Sequence, residues 1–556
     1  MKSKAFTAAD GLVASLRDHG VRHVFGYPGG QLTPIYDALY RERSVRHILA
    51  RNEQAAAFMA DGYARATGEA GVCLAVCGPG VLNAATALAT SFTDSIPVLL
   101  ISGQVPSKGL GLRSGYYHEN DQLTVCSTLA KQCIRVLEPA KIVSALEEAL
   151  ALLTAGRPGP VLLEIPIDVL RSPLPSGVKA SASVKSTRSE AGAPETHFSA
   201  LADLVGSWRR PLILAGGGVV RARAEEPLRR LAELLGAPII TTANGKGAIS
   251  ADHPLHAGLP WHRATSDLSE MASLFSPLLS QADGLLAIGC RFTQLTTGSW
   301  TMPLPPSLGQ IDIDSAEIGR HYPVACGIRK DACAALTSLL EILPRKDRQP
   351  WAAPFASIDP WRLPGLDIVE RLRRLLPRDG IVVADITRLA YVLLAEFPVY
   401  QPRTFLHPAG SVAMGYGIPA ALGAKAAFPN RKVVAVVGDG CFQMSGMELA
   451  SAAQENLPII VILINDNCLT LIKATQERRY ASRFIGVDLQ NPDFALFAKA
   501  FGAHYWRADT ETAFESALAE ALEREVVGLI EVRPPVSQTR SGGRRDLVQT
   551  LPGPLK

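Results

Sequence analysis

The chain has 556 residues, of which 47% are hydrophobic and 19% charged, with a formal net charge of +4. That balance excludes a disordered chain, and without any basic run it argues against a nucleic-acid partner. Nine scattered cysteines with no CxxC pair argue against a disulfide framework or a zinc site.

Roughly three domains are expected at this length. The opening segment MKSKAFTAADGLVASLRDHG lacks a signal-peptide core, and no apolar run approaches the ~18 residues that a membrane span needs. A cytoplasmic protein without a membrane partner is expected.

The first unit, residues 1–172, alternates apolar runs with amphipathic helical stretches. VRHVFGY, VRHILAR, GVCLAVCG, PVLLISG and PVLLEIP are its predicted strands. Runs this apolar, joined by helices, predict a parallel sheet covered on both faces. Residues 173–196, rich in Ser, Ala, Lys, Pro and Gly, form a predicted linker. The second unit, residues 197–345, has RPLILAGGG, APIITTA, GLLAIGC and LGQIDID as strands. A second linker, residues 346–364, lies within a segment broken by four prolines. The third unit spans residues 365–535, and residues 536–556 form a tail. The fold class is α/β, with three doubly wound parallel-sheet domains.

The third unit carries the sharpest pattern. Two apolar runs, KVVAVV and PIIVILI, end at Asp439 and Asp466, 466 − 439 = 27 residues apart. In a parallel sheet both strand ends reach the same edge, where ligands gather. Two converging carboxylates suit Mg²⁺, which shares its remaining positions with water and phosphate oxygens. Gly438 and Gly440 allow close backbone approach to an anion, and a nearby helix N-terminus favours negative charge. The plainer alternative makes Asp439 a turn residue and Asp466 a helix cap.

GDG followed by the N-D-N run of Asn465–Asn467 resembles the diphosphate-binding motif of thiamine diphosphate enzymes. The resemblance implies Mg²⁺ held by Asp439, Asp466 and the carbonyl of Cys468, with Asp at a position more usually Asn. HVFGYPGG, RNEQAAAFMADGYARATG, CGPGVLNAATALATSFTDSIPVLLISGQVP and TAGRPGPVLLEIPIDV are similar to the pyrimidine-binding domain of acetolactate synthases. ILAGGGVV, ANGKGAISADHP and QIDIDSAEIG resemble their central domain, and GSVAMGYGIPAALGAKAAFP their diphosphate-binding domain. The resemblance covers about residues 5 to 535.

It implies that Glu53 shares a proton with the cofactor's aminopyrimidine, where by itself an acid at a helix N-terminus needs only the macrodipole. It implies cofactor contacts from Tyr27, Pro28, Gly29, Pro79 and Asn83 in the first unit. In the third unit it implies Thr387, Arg388, Val412, Met414, Gly438, Gly440, Cys441 and Leu471, with Met414 bending the cofactor. A homodimer or homotetramer is expected, with active sites at the subunit interface.

The substrate region departs from acetolactate synthases. Tyr117-His118-Glu119 stands where they have Phe-Gln-Glu, so His118, with Tyr117 and Glu119, is expected to manage protons at the reacting centre. Gln294-Leu295 replaces an Asp-Arg pair that helps hold the second keto acid, and Thr475 replaces a Trp. Loss of the Arg removes a bidentate carboxylate clamp. FAD is not favoured, because Arg221 stands where a dinucleotide fingerprint has its third glycine. Arg540, Arg544 and Arg545 of the tail are expected to be solvated charges rather than substrate contacts.

The expected activity is decarboxylation of a 2-oxo acid with transfer of its acyl fragment to a second carbonyl compound, in the manner of acetolactate synthase or an acyloin synthase. The alternatives are a non-ligating decarboxylase or C–C lyase, and a non-catalytic relative that serves as a binding or regulatory subunit. A nicotinamide oxidoreductase ranks below these.

Overall fold

A computed structural model describes residues 6–111, 115–178, 195–261, 275–344, 348–352 and 367–533. Three sheets organise it, and every strand pairing within them is parallel. The first contains β1 (His23–Gly26), β2 (Arg46–Leu49), β3 (Gly71–Ala75), β4 (Val98–Gln104), β5 (Gln132–Arg135) and β6 (Val161–Pro166). The second contains β7 (Pro211–Ala215), β8 (Ile239–Thr241), β9 (Gly284–Ile288), β10 (Leu308–Asp312) and β11 (Cys326–Arg329). The third contains β12 (Ile381–Ala384), β13 (Phe405–Leu406), β14 (Val433–Gly438), β15 (Ile460–Ile464), β16 (His504–Ala508) and β17 (Gly528–Val532).

The sequence pattern locates the central strands of the first two sheets and β14 and β15 of the third, because Val- and Ile-rich runs buried on both faces carry the signal, but it omits the equally buried central strands β12 and β17. It passes over the partly exposed edge strands β5 and β11, whose short sequences QCIR and CGIR lack an apolar run. In the third sheet, β12, β13, β16 and β17 complete the layer around the two predicted strands.

The first sheet has the order β2-β1-β3-β4-β6-β5, and the third has β13-β12-β14-β15-β17-β16. These are the same topology. In each, the chain moves to one side from its first strand and later returns to the other, so β1/β3 and β12/β14 are equivalent topological switch points. Such points open a crevice beyond the strand ends.

The two equivalent layers meet through helices Glu53–Thr67 and Gly417–Ala427. A Cβ on Gly62 would collide with the Ala420 carbonyl, and one on Gly423 with the Met59 carbonyl. Glycine at the crossing therefore lets the backbones touch, closer than helices bearing larger contact residues can come. One buried cluster runs through this contact, joining Phe58 and Met59 to Tyr416 and Leu422. A polar network crosses it as well: buried Asp61 accepts from Arg65, Ser91 and Tyr416, while Asp94 accepts from Arg65, Asn244 and Ala409 N–H. Those partners come from all three units. No helix among the described residues is long and apolar enough to cross a membrane, and none of the nine cysteines forms a disulfide.

Candidate active site

At the β12/β14 switch point lies a cavity of about 150 Å³, lined among others by Thr387, Arg388, Met414, Asp439, Asp466 and Leu471. Gly438 caps a short helix, Asp439–Ser445, that begins at once rather than several residues later. Asp439 is thus the first residue of that helix and only 2% exposed. Its Oδ1 accepts from Gly440 N–H at 2.8 Å and its Oδ2 from Asn491 Nδ2 at 2.8 Å. Burial pushes its carboxyl above the ordinary range despite these donors.

Asp466 follows β15. Burial, with the nearby Asp439 charge adding to it, raises its carboxyl to about 6. Thr470 Oγ1 donates to Asp466 Oδ2, but Leu469, not Asp466, is the N-cap of helix Thr470–Arg479, so Asp466 is not its helix cap. The guanidinium of Arg388, on the same cavity wall, favours the Asp466 anion. Two mutually repelling carboxylates on one small cavity fit a hard divalent cation that takes its other ligands from carbonyl, phosphate and water. Among the described residues no cluster of three or more His, Cys, Asp or Glu could hold a metal by itself.

Met414 reaches the same floor: a Cβ on Gly440 would lie 3.1 Å from Met414 Cε. The turn that carries Met414 hangs on Asp385, fully buried at the end of β12. Asp385 accepts from Gly415 N–H at 3.2 Å and Gly417 N–H at 2.7 Å. Cys441 turns its thiol to the Ile386 carbonyl at 3.1 Å. Val412 is 45% exposed.

The equivalent β1/β3 switch point gathers the first-unit residues. Asn52 caps helix Glu53–Thr67 by accepting from Ala55 N–H at 2.8 Å, which leaves Glu53 as its first residue. The Glu53 side chain turns toward helix Pro79–Asp94, where Asn83 Nδ2 donates to Glu53 Oε2 at 3.0 Å. A Cβ on Gly80 would sit 3.0 Å from Glu53 Oε1, and one on Gly78 would sit 2.6 Å from the His118 carbonyl. The first turn of that helix, which also holds Pro79, therefore touches both Glu53 and the loop of His118. Tyr27, Pro28 and Gly29 leave β1 nearby, and a Cβ on Gly29 would meet Val76, just after β3.

His118 adopts φ 68°, a left-handed conformation uncommon outside glycine, and its ring stacks on exposed Tyr117 at 3.9 Å. Backbone strain of this kind concentrates at functional positions. Glu119 Oε2 accepts from Tyr116 N–H at 3.3 Å, which folds the loop on itself.

Every residue lining the β12/β14 cavity belongs to the third unit. Asp385 and Asn491 carry no motif and were not legible as site residues; only their contacts reveal them. Gln294 begins a short helix of the middle unit and bonds Ser299; Thr475 lies within helix Thr470–Arg479. Neither offers a guanidinium or an aromatic wall. Arg540, Arg544 and Arg545 lie outside the described residues.

A larger cavity, about 560 Å³, lies where the first, middle and third units meet, lined by Arg65, Arg157, Arg221, Arg291, Lys246 and Asp312 among others. Arg221 is drawn across the Gly-rich turn: a Cβ on Gly217 would strike its guanidinium, which donates to the carbonyls of Asp94 and Ser95.

Three family models match the chain. Residues 6–125 match the N-terminal TPP binding domain of thiamine pyrophosphate enzymes, residues 198–339 their central domain, and residues 385–532 their C-terminal TPP binding domain. A probable acetolactate synthase large subunit of Methanocaldococcus jannaschii is 34% identical over 542 residues, covering 92% of this chain and 89% of that protein. The acetolactate synthase isozyme 3 large subunit of Escherichia coli is 33% identical, covering 93% and 92%. A probable 2-ketoarginine decarboxylase of Pseudomonas aeruginosa is 34% identical, covering 95% and 94%.

Proposed function

We propose that this chain, which belongs to the thiamine pyrophosphate enzyme family, is a Mg²⁺-dependent carboligase that decarboxylates a 2-oxo acid and joins its acyl fragment to a second carbonyl compound. The observation that carries this reading is the pair of equivalent switch points, one bearing the Asp439–Asp466 cavity and the other the Glu53–Asn83 pair.

Thiamine diphosphate (thiamine pyrophosphate), when bound, supplies the electron sink for loss of CO₂. Asp439, Asp466 and the Cys468 carbonyl would hold Mg²⁺ against its diphosphate, with Gly438 and Gly440 allowing close approach. Thr387, Arg388, Cys441 and Leu471 complete that wall. Met414 and the backbone of Val412 support the aminopyrimidine. Glu53 shares a proton with the ring nitrogen, and Asn83 holds the Glu53 carboxyl in place. Tyr27, Pro28, Gly29 and Pro79 exclude water from the ring. His118, with Tyr117 and Glu119, moves protons at the acceptor oxygen.

Because the cavity is lined from one unit alone, the first unit of a second copy would complete it, making a homodimer the minimum active form and a homotetramer a dimer of such pairs. Exposed apolar side chains beside both half-sites, among them Tyr27, Leu82, Val412 and Ile472, suit such an interface. Without a bidentate cation at Gln294-Leu295 or an aromatic wall at Thr475, a bulkier or less acidic acceptor fits better than a second pyruvate.

FAD is not among the groups this reading requires. The larger cavity has the volume and positive charge for an anionic group, and the visible spectrum of the purified protein reports whether a flavin is there.

Similarity to a protein named as a 2-ketoarginine decarboxylase favours a second reading, release of a free aldehyde. Product analysis by NMR separates the two. The protein is incubated with Mg²⁺, thiamine diphosphate and isotope-labelled pyruvate, alone and with other 2-oxo acids or aldehydes. Mixed acyloins are expected. Acetolactate from pyruvate alone would restore the ordinary acetolactate synthase role, and free aldehyde alone would overturn ligation.

A further inference from the structure

The β12/β14 cavity has a feature that the carboxylates by themselves do not explain. Asn491 lies 491 − 439 = 52 residues after Asp439, yet its Nδ2 is 2.8 Å from Asp439 Oδ2, 2.8 Å from Asn465 Oδ1 and 3.1 Å from Asn467 Oδ1. Its own oxygen accepts from Gln443 Nε2 at 2.6 Å. One amide thus joins the end of β14, the end of β15 and the helix Asp439–Ser445.

An amide NH₂ has two hydrogens, so three acceptors compete for them. The segment that leads to Asn491 also lies alongside residues 467–469: Leu469 N–H donates to the Val487 carbonyl at 2.7 Å, and Leu489 N–H donates to the Asn467 carbonyl at 2.8 Å. Cys468, whose carbonyl is the third expected ligand, is held between those two bonds. Asn491 therefore closes a brace around all three ligand positions while contributing none of them.

We infer that Asn491 is a positioning residue that fixes the separation of Asp439 and Asp466 and so sets the site's preference for a small divalent cation. This rests on the Mg²⁺ reading above. Mg²⁺ demands near-ideal octahedral geometry at short distances, whereas Ca²⁺ accepts longer and less regular ones. A brace that holds two carboxylates at a fixed spacing therefore favours Mg²⁺; loosening it relaxes that preference. Residues that orient metal ligands typically change affinity 10–100-fold when removed.

The test replaces Asn491 with Leu, close in volume but without the donor, and with Ala as a second variant. Thiamine diphosphate binding is followed by calorimetry as Mg²⁺ or Ca²⁺ is titrated, together with the melting temperature of the metal-free chain. The half-saturating Mg²⁺ concentration is expected to rise about 10–100-fold, that for Ca²⁺ to change much less, and the metal-free melting temperature to stay near that of the wild type. Unchanged Mg²⁺ dependence in both variants overturns the inference. Equal losses for both cations with a lowered melting temperature also overturn it, because Asn491 is then only structural. If the wild-type chain shows no divalent-dependent cofactor binding, the metal reading itself falls.

Discussion

Asn83 Nδ2 donates to Glu53 Oε2 at 3.0 Å across two helices that both start at the β1/β3 end of the first sheet. That bond holds a buried carboxyl by one oxygen, and with Gly80 beside the other oxygen the group has little room to turn. Residue pairs held so are suited to sharing a proton at one fixed place.

Replacing Glu53 by Gln keeps the Asn83 contact in shape but removes the exchangeable proton. Turnover should fall about 10²–10⁴-fold, the usual contribution of a general acid–base group, while thiamine diphosphate affinity stays within a few-fold of wild type. Steady-state kinetics beside a binding titration measure both, and wild-type turnover in Glu53→Gln would rule the role out. Asn83→Ala should give a smaller loss of the same kind.

The two acids of the β12/β14 cavity should respond differently. Asp439→Ala removes a ligand and exposes the Asn491 amide, so Mg²⁺-dependent cofactor binding should be lost. Asp466→Asn keeps an oxygen at the ligand position and removes one of two repelling charges, so binding should persist at a raised Mg²⁺ requirement. Calorimetric titration decides; complete loss in Asp466→Asn would show that its charge, not its oxygen, is essential.

The crossing of helices Glu53–Thr67 and Gly417–Ala427 depends on Gly62 and Gly423. Gly62→Val has to push the Ala420 carbonyl aside, and overpacking of this sort costs on the order of 3 kcal/mol. Thermal or urea unfolding should show Gly62→Val and Gly423→Val clearly destabilised. Wild-type stability in both would mean that the helices do not meet as described.

Stability should also fall as pH rises through neutrality because of Glu448. This fully buried acid accepts from Arg51 N–H at 2.9 Å and from Ser451 Oγ at 2.7 Å, joining the first and third units. Burial raises it to about 7, against the opposing pull of its donors and of the Arg51 charge. An acid raised in the folded state is favoured protonated, so its contribution is complete below the unfolded value and is lost as pH climbs through 7. Glu448→Gln, neutral throughout, should flatten the slope between pH 5.5 and 8 by about 2 kcal/mol. Melting curves at several pH values check this, and an unchanged slope would place the proton elsewhere.

What the sequence determined by itself is local or tied to short motifs. KVVAVV and PIIVILI specify β14 and β15 because a doubly buried parallel strand has to be apolar at every position. The spacing of Asp439 and Asp466 specifies a shared edge because a right-handed crossover leaves no other arrangement. Glu53 is legible as an acid at a helix N-terminus.

Tertiary structure alone decided the rest. Nothing near Asn491 or Asp385 in the chain distinguishes them from ordinary loop polar residues, since the partners that place them at the site lie 24–52 residues before Asn491 and 30–32 residues after Asp385. The Gly62–Gly423 crossing and the shared order of the first and third sheets are likewise invisible in any short window. Side-chain periodicity and turn chemistry are written into each ten or so residues. Which polar group meets which across a core is settled only when whole layers pack, because burial then requires every donor and acceptor to find a partner.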